Sequence, residues 1–220
     1  DLVGLGAPDG SVVIADHQTR GRGRMGRTWH SSDARGLAMS VLLHLSCEPD
    51  MLATLPLVAG LALSQAFDRL GVDVELKWPN DVLLDGPKLA GILCEGRKTA
   101  SGIQAAVVGV GVNVSQRAED FPPELRERAT SLFLHGHAIG REIVAAEFLN
   151  ALEPLWTEHA EGDRRAALDA WRRRARFWGR EVVVHTPAGD VRGVARDLAD
   201  DGALVIETAP GAMTRVIAGD

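Results

Sequence analysis

The sequence predicts an α+β protein in which a β-sheet is flanked by helices and followed by a small all-β unit. Three observations support this prediction. Long apolar segments at 36–45 and 103–114 are typical of buried strands. Segments 54–70 and 141–159 have the end signals or the apolar spacing of helices. Beyond Gly179 the chain changes to short segments separated by Pro/Gly turns, which is typical of a small sheet or barrel.

Composition indicates a globular protein with one substantial domain and a small one. The chain has 220 residues, of which 45% are apolar and 25% charged, and its net charge is −6. Nucleic acid is therefore not an obvious partner for the whole surface. Cys47 and Cys94 form no CxxC pair, so neither a disulfide framework nor a zinc site is predicted, and a reducing cytoplasm is expected. The longest apolar run, 55–63, is too short to span a membrane, and no secretory signal pattern is present.

A Gly/Arg loop, GRGRMGRTW at 21–29, is the segment around which the prediction is built. Glycine lets the backbone approach a ligand closely, and each arginine offers a planar set of donors that matches phosphate or carboxylate oxygens. The loop joins two predicted strands, 11–16 and 36–45, and binding residues often lie on such ordered loops. We therefore expect an anion site. On these residues alone, a basic loop that binds nucleic acid stays the alternative.

The segments after the loop supply the predicted core. Both strands that flank the loop are expected to be largely buried. Thr54 as N-cap, Pro56 in the first turn and Gly71 after the last turn predict a helix over 54–70. Because its faces are mostly apolar or small, this helix should lie buried on the sheet.

A predicted hairpin follows this helix. Strand 72–78 stops before Pro79 and leads into KWPND at 77–81. The turn at 85–87 then joins two short strands and places Lys88 at the start of the second.

Strand 103–114 contains VVGVGVN at 107–113, in which two glycines leave part of one face without side chains. Glycine weakens a strand, and close approach of a ligand is the usual reason for keeping it.

The C-terminal third contains two predicted helices and then short strands. Helix 163–177 carries apolar residues on one side and three arginines, 172–174, which we expect to form a solvated face rather than a binding site. Four short strands follow between 181 and 217. We therefore predict a main domain at 1–178 and a small barrel domain at 179–220.

Four motifs in this order resemble the catalytic core of biotin protein ligases: GRGRMGRTW, KWPND, KLAGIL at 88–93 and GVGVN at 109–113. The C-terminal strands are similar to the SH3-like β-barrel of that family. The resemblance implies a mixed β-sheet flanked by helices, of the class II aminoacyl-tRNA synthetase/biotin synthetase type. It also implies two steps. The biotin carboxylate attacks the α-phosphate of ATP to give biotinyl-5′-adenylate and pyrophosphate, and a carrier lysine then attacks this mixed anhydride.

The resemblance also implies roles for individual residues. As catalytic residues, Lys88 would lie between the carboxylate and the α-phosphate, Arg24 near the adenylate, and Asp81 at the incoming lysine or the metal-bound triphosphate. The implied biotin-binding residues are Gln18, Arg22, Gly23, Arg24, Lys88 and Gly91. The implied ATP-binding residues are Arg22, Arg24, Arg27, Trp29, Asn80 and Asn113, with Trp29 packed on adenine. Structural roles stay open for four of these residues: a polar strand-end residue at 18, a turn cap at 81, a surface hairpin lysine at 88 and a strand end at 113. Trp78 is expected to be a core anchor.

The implied substrates are ATP and biotin, with Mg²⁺ accompanying the nucleotide and no metal site in the protein itself. The implied partner is the biotin carboxyl carrier protein domain of acetyl-CoA carboxylase or a related carboxylase. No membrane and no DNA-binding domain in this chain are expected, and a homodimer is left open. A lipoate-type acyltransferase is the nearest alternative.

Two features depart from the family pattern. A Ser/Thr-Thr-Asn element that contributes to biotin binding would lie upstream of the first strand, before the start of the sequence. Arg20 stands where the family more often has a small residue.

Overall fold

The computed structural model describes residues 4, 6–30, 34–45, 49–98 and 104–220, so Cys47 lies outside it. The described chain forms a six-stranded sheet with helices packed against it and a four-stranded C-terminal sheet. The helices are α1 (Pro49–Arg69), α2 (Arg141–Ala160) and α3 (Arg165–Arg174). The strands are β1 (Val12–Ala15), β2 (Gly36–Leu45), β3 (Glu75–Lys77), β4 (Asp81–Leu83), β5 (Lys88–Lys98), β6 (Gln104–Asn113), β7 (Glu181–Thr186), β8 (Gly189–Leu198), β9 (Leu204–Ala209) and β10 (Ala212–Val216).

The large sheet has the strand order β1-β2-β6-β5-β4-β3, and each neighbouring pair is antiparallel. A parallel contact occurs only as an isolated bridge between Lys88 and Ala129 among the described residues, so the sheet is less mixed than predicted. The register places one residue from each of four adjacent strands at the same level: Ala38, Gly111, Gly91 and Asp81. Side chains at one level point to one face, so this row of small residues lies on a single side of the sheet.

The opposite face of the sheet carries the core. Met39, Val110 and Ile92, one position away from the small row, are all at most 2% exposed. Ile92 packs beside Gly60 of α1, where a Cβ would lie 3.6 Å from its Cδ1 atom. The alternation of strand side chains thus separates an apolar face under α1 from a face that has only small side chains or none at Ala38, Gly91 and Gly111.

The prediction that the first strand is largely buried is wrong. β1 lies at the edge of the sheet and pairs with β2. Its residues Val12, Val13 and Ile14 are 38–50% exposed. An apolar run does not distinguish an edge strand from a central one, because burial depends on what packs from elsewhere in the chain.

α1 begins at Pro49 and not at Thr54, so the predicted N-cap is wrong. Thr54 is fully buried within the helix, where its hydroxyl donates to the Met51 carbonyl oxygen at 3.4 Å. Pro56 therefore lies in the helix interior and removes one backbone hydrogen bond there. The predicted glycine end is confirmed, since Gly71 has a φ of +72°. α1 is long and apolar enough to pass for a membrane span by composition, yet 72% of its apolar window is buried, as in a core helix.

α2 lies where it was predicted, and α3 is shorter than predicted. The prediction of a solvated arginine face on α3 is wrong for two of its three members. Arg172 donates from Nε to the carbonyl oxygen of Leu198 at 3.2 Å, which joins α3 to β8. Arg174 lies 2.6 Å from Asp68 and joins α3 to α1. Arg173 is exposed.

The C-terminal strands form an antiparallel sheet in the order β10-β9-β8-β7. Beyond β10, the backbone of Asp220 exchanges two hydrogen bonds with His185 of β7, at 3.0 and 3.1 Å. β9 residues such as Ile206 belong to the same apolar cluster as α1 and the large sheet. Trp78 is 5% exposed and donates from Nε1 to the Gly202 carbonyl oxygen at 2.9 Å, so the predicted core anchor is confirmed.

Candidate active site

A cleft of about 1020 Å³ opens over the row of small residues on the large sheet. The Gly/Arg loop, the turn before Lys88, parts of the segment 121–129 and Asp220 also line it. All eleven predicted site residues line this cleft: Gln18, Arg22, Gly23, Arg24, Arg27, Trp29, Asn80, Asp81, Lys88, Gly91 and Asn113. The fold therefore brings the four sequence motifs to one place.

The Gly/Arg loop is a small hairpin. Trp29 N–H donates to the Gly21 carbonyl oxygen at 3.0 Å, and Gly23 N–H donates to the Arg27 carbonyl oxygen at 2.7 Å. A Cβ at Gly21 would collide with the Trp29 carbonyl oxygen, so glycine is required there. At the tip, Met25 has a φ of +53°.

Each arginine predicted to bind the nucleotide has an acceptor within the protein. Arg22 lies 2.6 Å from Glu95, and Arg27 lies 2.6 Å from Asp220. Arg24 donates from Nη1 to the Asn80 side-chain oxygen at 3.2 Å and to a backbone carbonyl in the C-terminal tail, that of Gly219, at 3.0 Å. The loop therefore spans from β5 to the C-terminal tail, and an incoming anion must compete with these acceptors.

Burial and neighbouring charges act on this group of side chains. Burial lowers the pKa of Arg24, while the charges of Asp220 and Asp81 oppose that change. Burial tends to raise the pKa of Asp220, but the hydrogen bond and charge of Arg27 outweigh it, so its pKa lies below the usual value. The lowered pKa of Asp220 favours its carboxylate form beside the guanidinium of Arg27.

Lys88 lies at the start of β5 with its ammonium 2.6 Å from Asp81. Its backbone is held on both sides, since Lys88 N–H donates to the Arg128 carbonyl oxygen at 2.8 Å and Thr130 N–H donates to the Lys88 carbonyl oxygen at 2.9 Å. The same ammonium lies 5.8 Å from the Trp29 ring centroid. A surface hairpin lysine would have none of these constraints.

The two predicted asparagines are buried at the cleft. Asn80 is 8% exposed and donates from Nδ2 to the Ile92 carbonyl oxygen at 2.6 Å, which leaves its side-chain oxygen for Arg24. Asn113 ends β6 and is 4% exposed, with Gln116 donating to its side-chain oxygen at 3.4 Å. A strand-ending role for Asn113 is therefore visible, and its ligand role stays a prediction.

Sequence reasoning missed several residues of the cleft. Glu95 and Asp220 neutralise two of the loop arginines, and Arg128 lines the cleft from a segment without any motif. No local signal marks them, because each reaches the site through long-range packing. Arg20, the departure from the family pattern, also lines the cleft and has no ion pair with any described residue.

Among the described residues, no group of three or more His, Cys, Asp and Glu side chains is arranged to hold a metal ion. Seven Lys/Arg and four Asp/Glu side chains line the cleft, so it is positive by three, whereas the whole chain carries −6. A cleft of this charge suits a polyanionic ligand such as a nucleoside triphosphate.

Comparison with known proteins agrees with the geometry of the cleft. Residues 5–113 match the biotin/lipoate A/B protein ligase family, and residues 177–220 match the biotin protein ligase C-terminal domain. The biotin–[acetyl-CoA-carboxylase] ligase of Mycobacterium tuberculosis is 38% identical over 219 residues, which cover 96% of this chain and 78% of the relative. The bifunctional ligase/repressor BirA of Bacillus spizizenii is 34% identical over 213 residues; the match covers 96% of this chain but only 66% of that relative.

A solved structure shows the same architecture. The biotin protein ligase of Aquifex aeolicus, in complex with biotin and ATP, superposes with a TM-score of 0.85 at 30% identity. The superposition covers 99% of this chain and 90% of that one. The resemblance inferred from the four motifs is thus confirmed, and this chain belongs to the biotin protein ligase family.

Proposed function

We propose that this protein activates biotin with ATP to biotinyl-5′-adenylate and transfers the biotinyl group to a lysine of a carrier protein. The observation that carries the proposal is the Lys88 ammonium, which lies 2.6 Å from Asp81 and beside Gly91 in a cleft of net positive charge. The relatives bear names that state this activity, or bind biotin and ATP in a solved structure.

In the first step, a biotin carboxylate oxygen attacks the α-phosphorus, and the bond to the β-phosphate oxygen breaks to release pyrophosphate. Negative charge accumulates between the carboxylate and the α-phosphate, and an ammonium fixed there lowers the barrier. We assign this role to Lys88 and assign Asp81 to hold the ammonium in place. Arg24, whose guanidinium is fixed by Asn80 and Gly219, would bind the phosphate of the adenylate.

In the second step, a carrier lysine amine attacks the carbonyl carbon of the anhydride, and AMP leaves with the bonding electrons. The attacking amine loses a proton, and Asp81 is our candidate acceptor once Lys88 has moved toward the ligand. We propose a biotin carboxyl carrier domain as the partner. Mg²⁺ would enter with ATP as part of the substrate, since it prefers phosphate and water ligands to a protein cage.

Three further assignments support no step of this reaction and stay predictions. These are an SH3-like barrel, which the hydrogen bonds between Asp220 and His185 support, a domain boundary after residue 178, and a cytoplasmic location. A homodimer stays open.

Biotin-dependent exchange of pyrophosphate into ATP tests the proposal. We expect exchange with biotin and Mg²⁺, and a fall of about 10²–10³-fold in Lys88→Ala, the range seen when one fixed charge stabiliser is removed. Arg173→Ala is the matched control, because it also removes a cation but lies away from the cleft. Undiminished exchange in folded Lys88→Ala protein would remove Lys88 from the mechanism.

The alternatives have different outcomes in the same assay. Exchange that requires lipoate in place of biotin would favour the lipoate-type acyltransferase. A nucleic-acid module would show no exchange and a thermal shift with RNA. The net charge of −6 argues against that reading, because nucleic-acid-binding domains usually carry a net positive charge.

A further inference from the structure

Two glycines face each other at the centre of the large sheet. Gly91 of β5 and Gly111 of β6 are cross-strand partners, with Ala38 of β2 and Asp81 of β4 beside them on the neighbouring strands. Neither glycine has a positive φ, so the backbone conformation itself does not require glycine at either position. The reason for the missing side chains must lie in what approaches this patch.

The group over this patch is the indole of Trp29. A Cβ at Gly111 would lie 2.5 Å from its Cε2, 2.7 Å from its Cζ2 and 2.8 Å from its Nε1 atom. These separations are well inside van der Waals contact, so the observed position of Trp29 requires glycine at 111. At Gly91 the corresponding distance, to Cζ3, is an ordinary 3.4 Å.

Gly109 provides the internal comparison. It lies two residues before Gly111 on β6, so it belongs to the same face of the sheet. A Cβ there would meet the Leu93 carbonyl oxygen at 3.4 Å and the Leu93 Cβ at 3.9 Å, both ordinary contacts. Of the two glycines in this stretch, only Gly111 makes room for the indole.

The indole of Trp29 also lies over Lys88. The Lys88 ammonium lies 5.8 Å from its ring centroid, and the Trp29 backbone is tied to Gly21 at the base of the loop hairpin. A displaced indole would therefore change both the surface offered to a ligand and the environment of Lys88.

We propose that Gly111 is a positioning residue that acts through Trp29. Because Gly111 has no side chain, the indole can lie against the strand there, in the position where it stacks with the purine base. This inference rests on the proposed function, in which the cleft takes ATP. It differs from our sequence-based expectation, in which the glycines make room for the ligand directly.

The test is a double-mutant cycle with Gly111→Ala, Trp29→Ala and the combined variant, read out as the KM for ATP in the exchange assay. We expect each single variant to raise this KM by about 5- to 100-fold, the range that base–aromatic stacking supplies. The combined variant should match Trp29→Ala, because the three atoms that lie closest to the added methyl group are then absent. Losses that multiply in the combined variant, or a Gly111→Ala protein with the KM of the wild type, would overturn the proposal.

A second readout needs no ligand and separates this inference from the proposed function. Displacement of Trp29 should increase quenching of tryptophan fluorescence by acrylamide in Gly111→Ala but not in Gly109→Ala. The increase should disappear when Trp29→Ala is the common background. A wild-type protein without exchange activity would contradict the proposed function but would not affect the quenching result. Unchanged quenching in Gly111→Ala would contradict the positioning role of Gly111.

If Gly111→Ala fails to fold, the combined variant decides the matter. It should fold and show the ATP KM of Trp29→Ala, since the three atoms nearest to the added Cβ all belong to the indole. A combined variant that also fails to fold, or that binds ATP less well than Trp29→Ala, would show that Gly111 has another role.

Discussion

Two segments of this chain, the Gly/Arg loop and the end of α3, each contain several arginines close together, yet the two clusters have different roles. The Gly/Arg loop holds its arginines at the cleft, each with a protein acceptor that a ligand can displace. At the end of α3, Arg172 and Arg174 are three-quarters buried at the side chain and join α3 to the C-terminal sheet and to α1. We propose that the first cluster serves binding, whereas the second joins elements of the fold.

The difference arises from the backbone around each cluster. In the loop, glycines remove the side chains that would otherwise cover the arginines, so the guanidinium groups border an open volume. On α3, the helical period places two arginines against neighbouring elements and turns the third, Arg173, to solvent. The number of arginines predicts neither outcome.

The largest expected effect is at the loop. Arg24→Gly removes charge-assisted hydrogen bonds to the adenylate phosphate, which contribute roughly 1.5–3 kcal/mol. We expect retention of biotinyl-adenylate to weaken by about 10- to 100-fold, with little change in the melting temperature. Released anhydride should then label bystander lysines, which a biotin blot of added serum albumin would detect. Absence of albumin labelling, with adenylate still made and bound as tightly, would show that Arg24 does not hold the intermediate.

Arg172→Ala should show the opposite pattern. It leaves the Leu198 carbonyl oxygen and the neighbouring Asp169 without their cation, so we expect the free energy of unfolding to fall by about 1–2 kcal/mol. Arg173→Ala should change it by less than about 0.5 kcal/mol. Urea unfolding of both variants measures this difference, and exchange activity of the folded protein should stay unchanged. Equal free energies of unfolding for the two variants would show that Arg172 belongs to a solvated face, as the sequence predicts.

Asp220→Asn tests the link between the loop and the C-terminal tail. It removes the carboxylate that lies 2.6 Å from Arg27, and so raises the net charge of the cleft by one. We expect the KM for ATP to fall by about 2- to 5-fold at low salt, and the difference to shrink at high salt as the charges are screened. A rise in KM at low salt would mean that the tail acts by holding Arg27 in position rather than by charge.

The smallest expected effect concerns His159, which is buried near the start of α3. Burial lowers its pKa below the ordinary value, and the charge of Arg164 adds to this. The unfolded chain therefore binds a proton below about pH 6.5 that the folded chain binds less readily, so stability falls as pH decreases. We expect a loss of at most about 0.7 kcal/mol between pH 7 and pH 6. His159→Gln should remove this part of the pH dependence in urea unfolding, and an unchanged profile would contradict it.

Much of the fold could be predicted because its signals are local. The bounds of β2, the glycine end of α1 at Gly71 and the turn before Lys88 all follow from periodicity or from turn residues in the segment itself. Ten of the eleven residues predicted for the cleft belong to the four motifs, and the fold places them in one cleft together with the eleventh, Gln18. Their roles toward biotin and ATP stay predictions.

The remaining features depend on residues far away in the chain. The exposure of β1 reflects its place at the sheet edge, and the roles of Arg172 and Arg174 reflect the elements that pack beside α3.

The sequence by itself determined the order of the elements and the chemistry of the loop, because helix and strand periods and glycine freedom are properties of consecutive residues. Only the tertiary structure decided which charged side chains form ion pairs and why glycine is required in the central strands. Asp220 forms an ion pair with Arg27, which lies 193 positions earlier in the chain. Gly111 makes room for the indole of Trp29 and not directly for a ligand. Such contacts are fixed by the packing of the whole chain, and no short window of sequence contains both partners.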